Sequence, residues 1–528
     1  MQDNGARSRS RSIVEMSVSE LRAALDSGEW SVRELTEASI ARIEELDRQG
    51  PALGAVIEIN PDAREIADRL DAELASGHVR GPLHGIPILL KDNIATIDPT
   101  ETTAGSLALV GTRPSEDAFL VTRLRDAGMV ILGKANLSEW SNFRSERSTS
   151  GWSGRGGQTL NPYALDRTPW GSSAGPAVAV AASYVPLAVG TETNGSIVMP
   201  AGACGIVGIK PTVGLVSRMG VIPISHSQDT AGPMARSVTD AAMLLQVLAA
   251  PDPEDLASHG GQDVSGAPSH PLRPGHIDAG VDYLAALDRD GLRGARIGVL
   301  RNDRHLPPPS EHVLNGVIAT LRLAGAEIVD PVVVSPTADQ KWSSGDISVL
   351  LWEFKHDIAD YIERYVDASF PIRDLAGLIA FNEAHADEEM PWFGQDLFTA
   401  AQAMTGLDDP AYLVAIDRSQ RSARAEGLDK ALADHRLDAI IALTNAPAAK
   451  IDLLNGDPAS YGSSGLAARA GYPLVTIPAA YLGGMPINVT FMGGAYSEVA
   501  LIRLAFAFEQ RTTPRQAPSY RAPSVFPA

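Results

Sequence analysis

Apolar residues recur along this chain with two different periods, and the two patterns alternate. Stretches with apolar positions three and four residues apart predict amphipathic helices, and one of them opens with Ser31 and Glu34 in the spacing of a capping box. Short apolar runs between turn residues predict buried strands. The alternation favours an α/β fold layered around a mixed sheet. The first predicted helices are two within 13–48, then 61–77 and 117–128, and the first predicted strands are 86–90, 129–136 and 186–190.

The second half of the chain departs from this alternation in two places. Residues 250–293 are rich in Gly, Pro, Ser and His and predict a loop, and residues 340–435 predict a mainly helical insertion. At the ends, residues 1–12 are polar and basic, which predicts a flexible tail. Residues 513–528 are rich in Pro, Arg and Ser, so we expect a loosely held C-terminal tail.

Composition excludes several classes of protein. The 528 residues carry a formal net charge of −20, which argues against nucleic acid as a partner because phosphate binding needs a basic surface. No apolar stretch has the length and uninterrupted character of a membrane span. Cys204 is the only cysteine, so neither an intrachain disulfide nor a thiolate metal cluster can form. Localisation stays open, since a cytoplasmic enzyme and an exported one whose leader was removed would share this composition.

One long segment stands apart because it is almost free of charge. From Pro169 to Ile209 the only charged side chain is Glu192, although 20% of the whole chain is charged. We expect this segment to be buried. It nevertheless carries Ser172, Ser173 and Ser196 in glycine-rich turns, and such turns are places where a hydroxyl can be presented for catalysis.

Several familiar sites can be weighed against this segment. Residues 171–175 match the nucleophile elbow of α/β-hydrolases with Ser173 as nucleophile, but no apolar strand precedes them, so the match is interpreted as accidental. His84 followed by a glycine is a weak imitation of an oxyanion motif. Two further pairs are interpreted as solvated helix surface without metal-ligand spacing. These pairs are Glu383 with His385 and His356 with Asp357.

A lysine and two serines form the remaining candidate site. Lys91 follows the apolar residues of a predicted strand, and burial lowers the pKa of a lysine so that its amine can act as a base. A serine hydroxyl needs such a base to become a nucleophile. Taken alone, Lys91 is better explained as a strand-end lysine whose amine reaches solvent or a carboxylate. The residues from Thr193 to Ser196 form either an ordinary turn or a nest of backbone N–H groups for an oxyanion.

Taken together, these motifs resemble the amidase signature family. The likeness spans roughly residues 15–510 and rests on three ordered segments: a lysine strand, a glycine- and serine-rich turn before an alanine-rich helix, and a second Gly-Ser turn. Within the family the chain looks closest to bacterial peptide amidases, which remove the C-terminal amide of peptides. The segments that carry these likenesses include GPLHGIPILLKDNI, GKANLSEW, SEWSNFR, SQDTAGPMARSV, AGYPLVTIPA and GMPINVTFMG.

The resemblance implies a fold and a set of residue roles. The expected fold is the amidase signature fold, a large mixed β-sheet covered by α-helices on both faces, formed by a single domain over 13–512. Ser196 would be the nucleophile, Ser172 the bridging serine after a cis peptide bond, and Lys91 the base. The oxyanion would bind the backbone N–H groups of Thr193, Asn194, Gly195 and Ser196. No metal, organic cofactor or obligate partner subunit is implied, and the substrate would be a peptide amide or a small-molecule amide.

The chain departs from the family pattern at two positions, and other functions stay open. Trp170 precedes the first serine turn, where the family usually has glycine, and Val198 and Met199 stand where an arginine is common. The alternatives are a general acylamide or aryl amidase and a glutamine-hydrolysing amidotransferase subunit. A non-enzyme alternative is a silent binding protein on the same scaffold, which the presence of Lys91 and both serines disfavours.

Overall fold

A mixed β-sheet organises the molecule. The computed structural model describes residues 12–259, 280–301, 306–334 and 344–522. The strands within them are β1 Val56–Ile59, β2 Pro87–Lys91, β3 Val130–Ala135, β4 Trp152–Ser153, β5 Gly157–Gln158, β6 Leu187–Glu192, β7 Val207–Lys210, β8 Thr230–Ala235, β9 Arg296–Leu300, β10 Glu327–Val332, β11 Ala439–Leu443, β12 Leu474–Leu482 and β13 Met485–Met492. Eleven of them form one sheet in the order β1-β3-β2-β6-β8-β7-β12-β13-β11-β9-β10, and β4 and β5 form a separate hairpin.

Helices cover the sheet. Every residue of β2, β3 and β6 is buried, so both faces of the sheet are covered at these strands. The α/β class and the mixed, helix-covered sheet expected from the sequence are therefore confirmed. The helices are α1 Val18–Asp26, α2 Val32–Ile43, α3 Ala63–Ala75, α4 Phe119–Asp126, α5 Ala174–Ala181, α6 Val198–Ala203, α7 Val238–Leu248, α8 Pro308–Leu323, α9 Ser344–Tyr365, α10 Leu375–Ala384, α11 Ala386–Glu389, α12 Asp396–Gln402, α13 Pro410–Ala423, α14 Asp429–His435, α15 Gly465–Ala470 and α16 Glu498–Thr512.

Local sequence signals explain where many of these elements begin. The capping box predicted for α2 is formed: the Ser31 hydroxyl accepts from the Glu34 N–H, and the Glu34 carboxylate accepts from the Ser31 N–H at 3.0 Å. Ser17 and Glu20 cap α1 in the same way. In the described residues no helix is long and apolar enough to cross a membrane.

The middle of the sheet places two segments of the candidate site side by side. Strand β2 pairs in parallel with both β3 and β6. Because parallel neighbours end at the same edge of a sheet, Lys91 at the end of β2 and Glu192 at the end of β6 lie at one edge. The alanine-rich α5, which follows Ser172 and Ser173, packs on β6 and β2. The fold thus brings together segments that are about a hundred residues apart in sequence.

Two expectations about the ends of the chain can be compared with the structure. The predicted N-terminal tail lies outside the described residues except for Ser12. The prediction of a loosely held C-terminal tail is wrong for 513–522, because this segment is fixed by hydrogen bonds. The Arg515 guanidinium pairs with Glu15 at 2.7 Å and donates to the Gly205 carbonyl at 3.0 Å, and the Tyr520 N–H donates to the Pro162 carbonyl. The residue types of the tail gave no sign of these distant partners.

The two unusual stretches of the second half are only partly described. Of the predicted loop 250–293, residues 260–279 lie outside the described residues, and the rest forms turns and a short 3₁₀ helix, Leu256–His259. The segment predicted as a helical insertion, 340–435, contains α9 to α14, and its residues 340–343 are not described. Its boundaries as an insertion stay a prediction.

Candidate active site

Lys91 is buried at the end of β2 with its amine against two hydroxyl groups. Its side chain has no exposed surface. Nζ lies 2.7 Å from Ser172 Oγ, 2.9 Å from Thr191 Oγ1 and 3.4 Å from the Thr191 carbonyl oxygen. The next side chain, Asp92, accepts hydrogen bonds from the Thr103 hydroxyl at 2.5 Å and the Gly105 N–H at 3.2 Å instead. Lys91 therefore has no ion pair with its neighbour in sequence, as alternation along a strand predicts.

Burial changes the protonation of this amine. Desolvation lowers the pKa of Lys91 from 10.5 to about 7, although the carboxylates of Asp229 and Glu192 act in the opposite direction. An amine with a pKa near neutrality is unprotonated in a large fraction of molecules at pH 7. It can then accept a proton from the hydroxyl that it contacts.

Ser172 is held at the entry to α5 by the segment around Ser138. The peptide bond between Gly171 and Ser172 is cis, and the Ser172 carbonyl oxygen accepts from the Ser138 N–H at 3.0 Å. A side chain at Gly171 would collide with the Ser138 hydroxyl, so close packing requires glycine here. Ser172 is fully buried, and its hydroxyl is the contact of the Lys91 amine.

Ser173 and His84 have structural surroundings. The Ser173 hydroxyl donates to the Thr191 carbonyl at 3.0 Å and accepts from the Thr191 N–H at 3.2 Å, which ties the start of α5 to β6. No strand directly precedes residues 171–175 in the described chain, in agreement with the rejection of a nucleophile elbow. The His84 ring is buried and lies 3.1 Å from the Leu70 carbonyl, so it belongs to the core around α3.

The second serine turn is organised by the one carboxylate of the uncharged segment. Glu192 accepts hydrogen bonds from the backbone N–H groups of Gly195 at 2.8 Å, Ile197 at 2.8 Å and Val198 at 3.1 Å. Gly195 has a φ of 83°, a conformation that glycine adopts without strain. The Ser196 carbonyl accepts from the Ser173 N–H at 3.1 Å, which joins the two serine turns. Ser196 keeps 8% of its surface exposed, whereas Ser172 is fully buried.

Residues 193–196 are named the catalytic turn. Their backbone N–H groups are not equivalent. The N–H of Gly195 is engaged by Glu192, so the structure does not leave it free for an oxyanion. Within the described chain, the N–H groups of Thr193, Asn194 and Ser196 have no protein acceptor. The Asn194 side chain accepts from the Ser464 hydroxyl at 2.7 Å, which fixes the turn on its outer side. The set predicted from the sequence is thus reduced by one donor.

A second carboxylate, that of Asp229, binds a side chain of the catalytic turn. Asp229 accepts from the Thr193 hydroxyl at 2.5 Å and, on its other oxygen, from the N–H groups of Ile224 at 2.7 Å and Ser225 at 2.9 Å. Burial raises the pKa of Asp229 to about 6. A small cavity lies beside it. Its lining combines polar and apolar side chains: Asn93, Ser141, Thr191, Thr193, Val221, Ile222, Ile224 and Asp229.

The two departures from the family pattern lie in apolar surroundings. Trp170 is 4% exposed and packs with Tyr163, Ala203 and Met485, and Met199 packs against the same cluster. Val198 is fully buried in a separate cluster with Leu474. The arginine that is common in the family therefore has an apolar, buried side chain in its place.

Several residues of this site are not evident from the sequence. No sequence signal distinguishes Thr191 or Asn93 from its neighbours, although Asn93 Nδ2 donates at 3.0 Å to the Thr191 hydroxyl that the Lys91 amine contacts. Glu192 was noticed only as a lone charge, and a lone buried carboxylate is a signal that backbone N–H groups must surround it. Asp229 lies in a motif that was used only for its likeness. His226 was also missed, and Asp357, interpreted as solvated, contacts it at 2.9 Å. In contrast, Glu383 and His385 are exposed as predicted.

Comparisons with known proteins agree with this geometry. The family model described as Amidase matches residues 34–502. A probable amidase of Arabidopsis thaliana is 39% identical over 523 residues, covering 97% of this chain and 93% of the relative. The native peptide amidase structure from Stenotrophomonas maltophilia superposes with a TM-score of 0.87 at 49% identity, covering 96% of this chain and 99% of that one. A glutamyl-tRNA(Gln) amidotransferase subunit of Anaeromyxobacter sp. (strain K) is 34% identical over 505 residues, covering 92% of this chain and 94% of the relative.

Proposed function

The chain belongs to the amidase signature family and hydrolyses amides, and from this premise we propose that it removes the C-terminal amide of peptides as ammonia. The observation that carries the proposal is the 2.7 Å contact between Lys91 Nζ and Ser172 Oγ in a fully buried environment. A buried amine with a pKa of about 7 beside a hydroxyl is suited to start a proton relay.

In the proposed relay the neutral Lys91 amine takes a proton from Ser172 while Ser172 takes one from Ser196. A neutral amine has two N–H groups and one lone pair. The Thr191 hydroxyl and carbonyl oxygens, 2.9 Å and 3.4 Å away, are acceptors for the two N–H groups, and the lone pair is left for the Ser172 hydroxyl. This arrangement of hydrogen bonds gives the amine a base-competent orientation before any substrate binds.

The deprotonated Ser196 oxygen attacks the amide carbon and forms a C–O bond, and the carbonyl oxygen takes the negative charge. We assign the N–H groups of Thr193, Asn194 and Ser196 as candidate donors to that oxygen and leave out Gly195, which donates to Glu192. The relay then returns its proton to the nitrogen, the C–N bond breaks and ammonia leaves. Water, deprotonated through the same relay, attacks the acyl-enzyme, and the carboxylic acid product departs as Ser196 regains its proton.

One comparison favours a peptide amide over other amides. The similarity to the Stenotrophomonas maltophilia peptide amidase extends over nearly the whole of both chains. We also propose that the chain acts without a partner subunit, although the related amidotransferase protein is a subunit by its name.

The test is ammonia release by the purified chain, with and without Ser196. The wild-type protein should release ammonia from an N-acylated dipeptide amide and should take up one fluorophosphonate label, located by mass spectrometry on the peptide that contains Ser196. Ser196→Ala should lose the label and at least about three orders of magnitude of turnover, as removal of a nucleophile does in serine hydrolases. Turnover at wild-type rate by Ser196→Ala would contradict the assignment.

Matched controls separate the competing functions. Ser173→Ala changes the neighbouring serine and should keep the label on Ser196; a label that disappears with Ser173 would support the elbow interpretation instead. Free glutamine and an acylanilide, tested at the same concentration as the peptide amide, should be hydrolysed more slowly. A preference for glutamine, or activity that needs an added protein, would favour an amidotransferase subunit.

A further inference from the structure

A histidine outside the proposed relay joins the helical segment to the loop behind the catalytic turn. His226 faces α9, where Glu353 and Asp357 lie one helical turn apart and so share one face. Its Nδ1 is 2.9 Å from Asp357 Oδ1, and its Nε2 is 3.6 Å from Glu353 Oε1. Its backbone N–H also donates to Asp357 Oδ2 at 2.8 Å. We name these three residues, His226, Glu353 and Asp357, the α9 junction.

Neighbouring groups fill the remaining hydrogen-bonding positions of the α9 junction. Glu353 accepts from the Ser227 hydroxyl at 2.9 Å, from the Ser227 N–H at 3.2 Å and from the Ser225 hydroxyl. The Tyr412 hydroxyl donates to its other oxygen at 2.8 Å. Three ligand atoms of the junction are close enough to hold a metal ion, but hydrogen bonds occupy the oxygens that an ion would need. The arrangement is a hydrogen-bonded contact between α9 and the loop.

Charge explains why the contact is firm. Glu353 has no exposed surface, and an unpaired buried carboxylate is strongly unfavourable. Burial disfavours the charged ring, but the two carboxylates outweigh it and raise the pKa of His226 to about 10, so the ring is an imidazolium at neutral pH. Breaking the junction by removing the imidazole would leave two acidic groups of α9 facing each other. The loop is also held from its other side, where the Arg218 guanidinium donates to the His226 carbonyl and pairs with Asp255.

The same loop contacts the catalytic turn through Asp229, three residues after His226. The N–H of Ser225, whose hydroxyl binds Glu353, donates to Asp229, and Asp229 accepts from the Thr193 hydroxyl. The path of contacts from α9 to the catalytic turn therefore contains three steps, and each is a hydrogen bond to a carboxylate. A shift of the loop would move Asp229 and with it the position of Thr193.

We propose that His226 is a positioning residue for amide hydrolysis: by tying the loop 224–229 to α9 it fixes Asp229 under Thr193 and so aligns the N–H groups of the catalytic turn. The inference rests on the proposed function. Misaligned oxyanion donors weaken binding of the transition state while leaving the substrate ground state almost unaffected. Loss of the junction should therefore lower kcat and leave KM nearly unchanged.

The experiment compares His226→Ala, His226→Gln and His356→Ala under steady-state conditions with a peptide amide. Loss of one oxyanion donor lowers kcat by about 10²–10³-fold, so partial displacement in His226→Ala should lower it by roughly tenfold or more. KM should change by less than about threefold, a split that marks loss of transition-state binding. His226→Gln keeps an N–H donor for Asp357 and should recover part of the lost rate. His356→Ala removes a half-buried histidine of α9 whose ring lies against the Thr405 carbonyl and not against the loop, and it should behave as wild type.

A double-mutant cycle tests whether the effect runs through Thr193. Thr193→Val removes the hydroxyl that binds Asp229 while keeping the backbone N–H. If the path is correct, Thr193→Val should lower kcat less in the His226→Ala background than in the wild type. Additive effects, an unchanged kcat in His226→Ala, or a loss of melting temperature without a loss of kcat would overturn the inference.

Two further readouts separate this inference from its premise. The rate of fluorophosphonate labelling at Ser196 should fall in His226→Ala along with kcat, because the phosphonyl oxygen uses the same donors. A wild-type protein that neither labels nor releases ammonia would remove the proposed function, and the inference with it. If the wild type is labelled normally and His226→Ala is labelled at the same rate, the role of His226 is contradicted and the proposed function still stands. Activity lost on dialysis against a chelator and restored by zinc would show that the junction is a metal site and would also overturn it.

Discussion

Lys91 and Lys134 lie on adjacent parallel strands and look alike by every simple measure. Both side chains have no exposed surface, and burial lowers the pKa of Lys91 to about 7 and that of Lys134 to about 8. Their partners differ. The amine of Lys91 contacts the hydroxyls of Ser172 and Thr191, whereas the amine of Lys134 donates to the Ile94 carbonyl and to the Thr102 hydroxyl at 2.8 Å.

The register of the two strands explains this difference. Lys134 pairs with Leu90, so Lys134 and Lys91 project from opposite faces of the sheet. The face of Lys91 carries the serine turns, and the face of Lys134 carries acidic groups such as Asp92 that oppose the fall of its pKa. Burial thus lowers the lysine pKa at both positions, but of these two only Lys91 contacts a serine hydroxyl that can pass a proton onward.

Of the proposed substitutions, Lys91→Met should lower activity most and should differ most from the same change at Lys134. Lys91→Met removes the proposed base and should lower kcat/KM for a peptide amide by about 10³-fold or more, at the upper part of the range for general-base catalysis. Ammonia release under single-turnover conditions is the measurement. Lys91→Arg is the charge-preserving control and should be equally slow, because a guanidinium does not give up its proton near neutral pH. A Lys91→Met protein with more than about a tenth of wild-type activity would contradict the assignment of the base.

The protonation of Lys91 predicts the pH dependence. Only the neutral amine accepts a proton, so kcat/KM should fall about tenfold per pH unit below pH 7 and level off above it. The same shift affects stability in a known direction. Between about 7 and 10.5 the unfolded chain holds the lysine proton more tightly than the folded one, so the contribution of Lys91 to the free energy of unfolding increases as the pH rises through that window. A pH profile of kcat/KM, compared with urea unfolding at each pH, measures both.

Lys134 provides the control for the acid limb of the profile, the part in which kcat/KM falls below pH 7. Lys134→Met should leave the midpoint of the activity profile near pH 7, since Lys134 contacts neither serine. A midpoint that moves in Lys134→Met, or that stays in place when Thr191 is altered, would assign the limb to a different group.

Sequence patterns went far toward the fold and the residue types of the site, but not toward their contacts. The apolar run before Lys91 predicts a strand, and the structure has this strand as β2. Alternation along the strand predicts that Lys91 and Asp92 point to opposite faces, and Asp92 indeed binds Thr103 instead of Lys91. Thr191 and Asp229 could not be predicted because their contacts with the site depend on which strands are neighbours in the sheet and in which register they pair. The sequence of a single strand does not determine either. His226 was missed because its acidic partners stand more than a hundred residues later, on α9.

The assignment of oxyanion donors illustrates a different limit. A turn with glycine and serine predicts a row of N–H groups, and all four of residues 193–196 are equivalent at that level of description. Only the side-chain position of Glu192 shows that the Gly195 N–H is already used. One carboxylate can satisfy several N–H groups, and which ones it reaches depends on the exact path of the backbone.

Removing the second hydroxyl beside Lys91 should have an intermediate effect. Thr191→Val keeps the shape of the side chain but takes away the acceptor shared by Lys91 and Asn93. A hydrogen bond from a neutral donor contributes about 0.5–1.5 kcal/mol, so we expect kcat to fall by up to about tenfold through a less well oriented amine. Because the lost acceptor stabilises the ammonium more than the neutral amine, the acid limb of kcat/KM should move to lower pH. A limb that moves upward would mean that Thr191 acts mainly as a donor to the amine.

The smallest effect on catalysis should come from Lys134→Met, where the expected loss is in stability. Methionine has a similar length and fits a buried apolar position, but it leaves the Ile94 carbonyl and the Thr102 hydroxyl without the lysine donor. An unsatisfied buried polar group costs about 1–3 kcal/mol, partly offset because a desolvated amine is no longer present. Urea unfolding should show a decrease of that order, while kcat/KM changes by less than about threefold. A rate loss comparable to that of Lys91→Met would mean that Lys134 also takes part in proton transfer, and the distinction between the two lysines would then fail.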